Sequence, residues 1–157
     1  MRDLGDNSNH VQLDDTDKAI IGHLQDDGRI PYAKLGPVVG LSAAAVRQRV
    51  LALIEHGVMQ IVAVTDPMML GFNVQALVGA DVVGDLEQAA TAISAIEETD
   101  YVVITSGRYD VMIEVVCEDN EHLLDLLNRI REIPGVESVE ALTYLKLMKQ
   151  TYDWGTR

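Results

Sequence analysis

Between Asn73 and Met148 the apolar residues keep changing their spacing, and each change dictates a different element. Val74, Ala76, Val78, Ala80 and Val82 alternate, which makes one face of a strand over Asn73–Val83. Leu86, Ala89, Ala90, Ile93 and Ile96 recur at helical spacing. Tyr101–Thr105 and Asp110–Cys117 read as strands on either side of the turn Ser106-Gly107-Arg108-Tyr109. Leu123, Leu126, Leu127 and Ile130 mark a second helix, Pro134-Gly135 a turn, and Val136–Met148 a long final strand. The order β-α-β-β-α-β is the ferredoxin-like split unit. Both helices must then cover one face of the sheet. The other face carries Leu77 and Val83, or their neighbours, according to register. An open apolar sheet face calls for a partner, so a homodimer is expected, and with it a larger even-numbered assembly such as a tetramer or octamer.

The first half follows a different rule. Leu13-Asp14-Asp15-Thr16-Asp17 opens a helix that Asp14 or Asp15 can cap, and Ile20, Ile21 and Leu24 form its apolar face. Asp26-Asp27-Gly28 ends it, with Gly28 available for a left-handed cap. A second short helix spans Tyr32 to Val38, Gly40 makes a turn, and Ser42 caps a third helix reaching about His56. Val46, Val50, Leu53 and Ile54 give that helix one buried stripe, and His56-Gly57 is a regular helix ending. Val58–Val64 is β-rich, and Asp66-Pro67 and Leu70-Gly71 punctuate the passage to the second half. The fold class is therefore α+β: an N-terminal helix-turn-helix domain and a C-terminal ferredoxin-like βαββαβ domain. The expected limits are a tail at 1–12, the helical domain at 13–60, a linker strand or hinge at 61–72, the second domain at 73–150 and a tail at 151–157.

Charge separates the halves as well. The chain has 157 residues and a net charge of −13, which taken alone disfavours nucleic acid. Most of that acidity lies beyond residue 66, where sixteen Asp/Glu face six Lys/Arg. The window Arg29–Arg49 holds Arg29, Lys34, Arg47 and Arg49 and no acid. Phosphate attraction is screened within roughly 8 Å at physiological salt, so the local patch outweighs the total. Cys117 sits in an apolar strand and reads as a small buried hydrophobe, and one cysteine permits no internal disulfide. The N-terminus lacks the apolar core of a signal peptide, and no apolar run approaches a membrane span, so no membrane partner and a cytoplasmic location are expected.

A DNA-reading helix-turn-helix needs a bracing helix, a tight turn and an exposed helix whose early residues enter the major groove. Ser42, Ala43 and Ala44 are small enough for close approach, and Arg47, Gln48 and Arg49 follow within a turn. Arginine suits guanine and glutamine suits adenine. The expected contacts with double-stranded DNA are Arg29, Tyr32, Lys34, Ser42, Ala43, Ala44, Arg47, Gln48 and Arg49. The plain alternative is a helical hairpin with solvated arginines. His10, His23, His56 and His122 show no metal-ligand spacing, and the chain has no phosphate loop or nucleophile motif, so no metal, cofactor or catalytic residue is expected.

The run Leu13-Asp14…Asp17…Ile20-Ile21…Leu24…Gly28-Arg29…Leu35…Val39-Gly40-Leu41-Ser42…Val46…Arg49-Val50…Leu53…Gly57-Val58-Met59 resembles the N-terminal domain of the Lrp/AsnC family, the feast/famine transcriptional regulators. Gly107-Arg108-Tyr109-Asp110 matches that family's Gly-x-aromatic-Asp turn, and Asp66-Pro67…Leu70-Gly71 its inter-domain stretch. The resemblance implies a DNA-binding regulator whose assembly or DNA affinity responds to a small effector, typically an amino acid, bound in a cleft between dimers. It implies effector contacts at Ser106, Gly107, Arg108, Tyr109 and Asp110, with Thr143 joining them if register brings it alongside. Loop amides suit a carboxylate and Asp110 an α-ammonium group, whereas the plain reading is a hairpin turn. Two departures stand out: Gly36-Pro37, which predicts a short or kinked second helix, and Tyr152-Asp153-Trp154-Gly155, which extends past the usual ending. The sirohaem decarboxylase subunits share the two-domain pattern, but their tetrapyrrole pocket needs basic and His residues where this second half offers only His122. A metabolic sensor that does not bind DNA is the other alternative, and the retained Arg47 and Arg49 count against it.

Overall fold

The computed structural model describes residues 12–151 and Gly155. His10, Tyr152 and Trp154 lie outside the described residues. The chain divides into two compact units, with breaks between Ala63 and Val64 and between Lys149 and Gln150, the segment after the second break grouping with the first unit.

The first unit is three helices: α1 (Asp15–Asp26), α2 (Tyr32–Val38) and α3 (Ala43–Glu55). A capping box starts α1. The Asp14 side chain accepts from the Asp17 N–H at 2.7 Å, and the Asp17 carboxylate accepts from the Asp14 N–H at 3.3 Å. Ile20, Leu35, Val46 and Val50 are fully buried and form the core with Ile21, Leu24 and Leu53. Ile54, expected in the buried stripe, packs on this core partly exposed. α2 has seven residues with Pro37 inside, as the Gly36-Pro37 pair predicts. Gly28 does not take the left-handed cap expected of it. Asp27 is the C-cap in an extended conformation, and its side chain accepts from the Arg29 N–H at 2.9 Å, so an aspartate turn replaces the glycine cap.

Val58–Val64 is not a strand. A strand needs a ladder, and among the described residues none is offered; Ile61, Val62 and Val64 remain exposed.

The second unit is the βαββαβ fold: β1 (Val74–Val82), α4 (Leu86–Ser94), β2 (Thr99–Ile104), β3 (Val111–Cys117), α5 (Asn120–Arg131) and β4 (Val136–Thr143). The antiparallel sheet has the order β2-β3-β1-β4. Ala76, Val78 and Ala80 of β1 and Val111, Ile113, Val115 and Cys117 of β3 are fully buried with Ile93, Leu126 and Ile130 of the two helices. The final strand stops at Thr143, short of Met148. Thr143 pairs with Ala76 and the Tyr144 N–H reaches the Gln75 carbonyl, close to where β1 itself begins, so the ladder ends there. Leu77 is half-buried on the open face beside Leu142, and Val83 is exposed beyond the end of β1.

One ion-pair cluster ties α5 to the start of β2. Glu98 accepts a two-pronged grip from Arg129, at 2.6 and 3.2 Å, and sits 3.1 Å from His122 Nε2. The Arg129 hydrogen bonds, ahead of His122, hold the Glu98 carboxyl at about 2 against a usual 4.5. The fold thus favours the ionised carboxylate. The resulting stability is fully present above pH 4.5 and lost as pH falls toward 2. Arg129 is half-exposed, so screening limits the effect to about 1–2 kcal/mol. Glu98→Gln is expected to lower urea stability by that amount at pH 7, with the gap to the parent protein closing between pH 4.5 and 2.

Candidate nucleic-acid interface and effector turn

The turn between α2 and α3 depends on a missing side chain. A Cβ on Gly36 would lie 2.6 Å from the Leu41 carbonyl oxygen and 3.3 Å from the Ala43 nitrogen. The bare glycine lets its own carbonyl accept from the Leu41 N–H at 2.8 Å. Gly40 follows at φ 72°, and the two helices meet at 98°, the crossing of a helix-turn-helix. Ser42 Oγ then caps α3 by accepting from the Ala45 N–H at 3.2 Å.

At about 100° per residue, Ala43, Ala44, Arg47, Gln48 and Leu51 share one side of α3, and all are exposed. Val46, Val50 and Leu53 on the opposite side are buried. The face is small near the helix start, so a duplex can approach the free N–H groups there, and Arg47 and Gln48 stand one turn further on. Among the described residues Arg47 has no carboxylate partner. Arg29 and Lys34 are exposed, on the α1–α2 turn and on α2. Tyr32 is half-buried against the head's core.

Arg49 departs from expectation. It lies about 200° from Arg47 around the helix and does not share its face. Its Nη1 donates to Asp14 Oδ2 and to Asp17 Oδ1, each at 2.7 Å. These bonds lower the Asp14 pKa, after the larger effect of the Asp17 backbone N–H, and raise that of Arg49, where the Asp17 bond comes first. Sequence spacing alone hid this pairing, because the partners are 35 and 32 residues away.

The second candidate site is the turn between β2 and β3. A register shift at Asp81/Val82 breaks the β1–β4 ladder, and Asp110 Oδ2 accepts the Val82 N–H at 2.8 Å. The Asp110 backbone donates to the Ala80 carbonyl at 3.0 Å. Asp110 is thus bound into the sheet, and the free carboxylate expected for a ligand's ammonium group is half committed. Tyr109 lies flat on Gly79, where a Cβ would come within 2.4 Å of the ring. Its hydroxyl donates to the Glu140 carboxylate, which raises the phenol's pKa. The Arg108 guanidinium stands 4.8 Å from the Tyr109 ring centroid and 3.4 Å from Asp81 Oδ1. Ser138 Oγ donates to Asp81 Oδ2 at 2.5 Å. Thr105 Oγ1 closes the turn by donating to the Tyr109 carbonyl at 2.5 Å and accepting from the Gly107 N–H at 3.3 Å. Ser106 and Gly107 are exposed.

Register does not bring Thr143 alongside. It pairs with Ala76, four residues from Ala80, which is about 13 Å along the strand, and Ala76 faces the helices rather than Tyr109. Asp81, Ser138 and Glu140 hold the neighbouring places instead. Sequence reasoning missed all three, because only the β1–β4 register joins them.

The head and the sheet unit together have the form of a DNA-binding transcriptional regulator. The AsnC-type helix-turn-helix domain matches residues 13–54, and the C-terminal dimeric alpha+beta barrel domain of AsnC-type regulators matches 67–157. The chain belongs to the Lrp/AsnC family. It is 33% identical over 143 residues to the HTH-type transcriptional regulator FL11 of Pyrococcus horikoshii, covering 90% of this chain and 95% of that one. The solved leucine response regulatory protein (LrpA) of Mycobacterium tuberculosis is similar with a TM-score of 0.82 at 28% identity, over 90% of this chain and 98% of that one. The transcriptional regulator NMB0573 of Neisseria meningitidis, solved as an L-Met complex, shares the fold with a TM-score of 0.76 at 24% identity, over 89% and 94%. FL11 and NMB0573 are both named as transcriptional regulators. No single helix among the described residues is long and apolar enough to cross a membrane.

The Gly36 contact yields a direct test. Gly36→Ala drives a methyl group into backbone, and backbone cannot yield as a flexible side chain would. A loss of about 1–3 kcal/mol in urea unfolding is expected, with α2–α3 signals lost first in hydrogen exchange.

Proposed function

We propose that this chain is a sequence-specific regulator of the cytoplasm that binds double-stranded operator DNA through the exposed face of α3. The observation that carries this reading is that face: a capped, exposed helix start with two alanines, then Arg47 and Gln48, opposite a fully buried stripe. Arg47 would take guanine or a phosphate, and Gln48 adenine. Ser42, Ala43 and Ala44 would let the backbone close on the duplex, with Arg29, Lys34 and the hydroxyl of Tyr32 toward the phosphates.

The working form would be a homodimer joined through the open sheet face, with tetramers or octamers above it. That face carries Leu77, Tyr101, Met112 and Leu142, and Tyr101 and Leu142 are exposed. Two heads would then meet two half-sites.

The effector would be an amino acid or related small carboxylate beside residues 106–110. The exposed Arg108 guanidinium suits the ligand's carboxylate, and Asp81 and Glu140 suit its ammonium group. Asp110 would serve by holding the turn rather than by direct contact. The fold shared with a regulator solved with L-Met makes methionine one of the probes to include.

Arg47→Ala is expected to weaken binding to a duplex selected by the parent protein from a random library. The loss should be about 1–3 kcal/mol if Arg47 reads a base, or the salt slope should fall by about one if it touches phosphate. Parent-like affinity and salt slope in a gel-shift titration would rule out this face.

A thermal-shift screen of the amino acids tests the effector. A ligand at 100 times its dissociation constant adds roughly 2.7 kcal/mol to native stability. Arg108→Ala should abolish that shift while leaving unliganded DNA binding intact, since the side chain is 72% exposed and supports no core. A shift undiminished in the variant would place the ligand elsewhere.

A further inference from the structure

Arg49 sits on the recognition helix but faces away from the recognition surface. One guanidinium nitrogen joins Asp14 and Asp17, both at 2.7 Å, and those two carboxylates are the capping box of α1. The second turn of α3 is thereby fastened to the first turn of α1. The side chain of Asp17 is only 16% exposed, so part of this junction is shielded from solvent and salt.

The rest of the contact between these helices is aliphatic. Ile20, Ile21, Leu24, Val46, Val50 and Leu53 attract without direction, and such a core tolerates small rotations of one helix against another. Charge-assisted hydrogen bonds at 2.7 Å do not. Arg49 is two residues from Arg47, so any turn of α3 about its axis moves Arg47 and Gln48 with it. Base recognition by a planar guanidinium tolerates only about 10–20° of error.

We propose that Arg49 is a positioning residue for DNA recognition: through Asp14 and Asp17 it fixes the rotation of α3, and so the aim of Arg47 and Gln48, without itself touching DNA. The two acids, which by charge alone would oppose DNA binding, become part of the reading head.

The test removes the acids and leaves Arg49 in place. Asparagine caps a helix as well as aspartate, so Asp14→Asn/Asp17→Asn keeps the start of α1 and removes the charge that grips Arg49. The full chain is titrated on two duplexes, one selected from a random library by the parent protein and one of scrambled sequence. Simple electrostatics predicts tighter binding to both, because the head gains two units of positive charge. The positioning role predicts at least about a five-fold loss on the selected duplex, with binding to the scrambled duplex unchanged or tighter. Equal losses on both would mean a merely structural bridge, and an unchanged or improved affinity for the selected duplex would mean no role; either result overturns the proposal. If circular dichroism finds the double variant unfolded at the assay temperature, Asp17→Asn alone is read by the same criteria.

Discussion

A single backbone N–H, that of Val82, organises the second unit. The ladder between β1 and β3 ends at Ala80 and Val111, two residues before β1 does, and a strand in the middle of a sheet cannot leave the Val82 donor without a partner. Asp110 supplies the acceptor from across the sheet. That bond, with the Asp110 N–H on the Ala80 carbonyl, fixes where the β2–β3 turn lands. Tyr109 must then fall on Gly79, the one place in β1 where no side chain stands in its way. Arg108 is carried over the ring, and Asp81, on the same side of β1 as Gly79 by simple alternation, meets both Arg108 and Ser138. The exposed chemistry of the turn therefore follows from the two hydrogen bonds of Asp110 beneath it. Any substitution at Asp110 confounds ligand binding with folding, which makes Arg108 the cleaner probe.

The head solves a different problem. A unit of about fifty residues buries too little surface to be rigid by hydrophobic packing alone. Its core is made of aliphatic side chains from three helices, and its directional contacts lie at the edges. Gly36 brings the end of α2 within a carbonyl's reach of Leu41, Ser42 closes the start of α3, and Arg49 closes its flank onto α1. Each contact leaves the face of Ala43, Ala44, Arg47 and Gln48 untouched, so that face can be exposed and still be held in place.

Much of this was legible in the sequence because periodicity is a local property. Alternation at Val74–Val82 and three–four spacing at Leu123–Ile130 report which side of an element is buried, whatever it packs against. Caps are equally local, so Ser42 was readable and the α1 cap was narrowed to Asp14 or Asp15, of which Asp14 takes the place. What escaped depends on register or on reach. The approach of Asp81, Ser138 and Glu140 to Arg108 and Tyr109 follows from a strand register that contains a slip, and the same register carries Thr143 away. Arg49 looked like Arg47 in sequence because two residues of separation say nothing about partners two helices away. Val58–Val64 has strand composition without a ladder among the described residues, and composition cannot report a missing neighbour.

The acidity of the chain also shapes how binding must work. With few cations on the proposed reading face, each head would release few counterions, and its affinity for DNA alone would be modest. Joining heads raises the total without new contacts, because the second half-site is then met at high effective concentration, worth roughly 10²–10⁴ in avidity. A small molecule held at the sheet unit need not alter Arg47 or Gln48 at all to change occupancy of an operator. It need only favour one assembly over another by differential contact, since a ligand that binds two states equally shifts neither. In the proposed assembly, the division of labour between a rigid, weakly binding head and an oligomerising sheet is what allows an acidic protein to answer a metabolite on DNA.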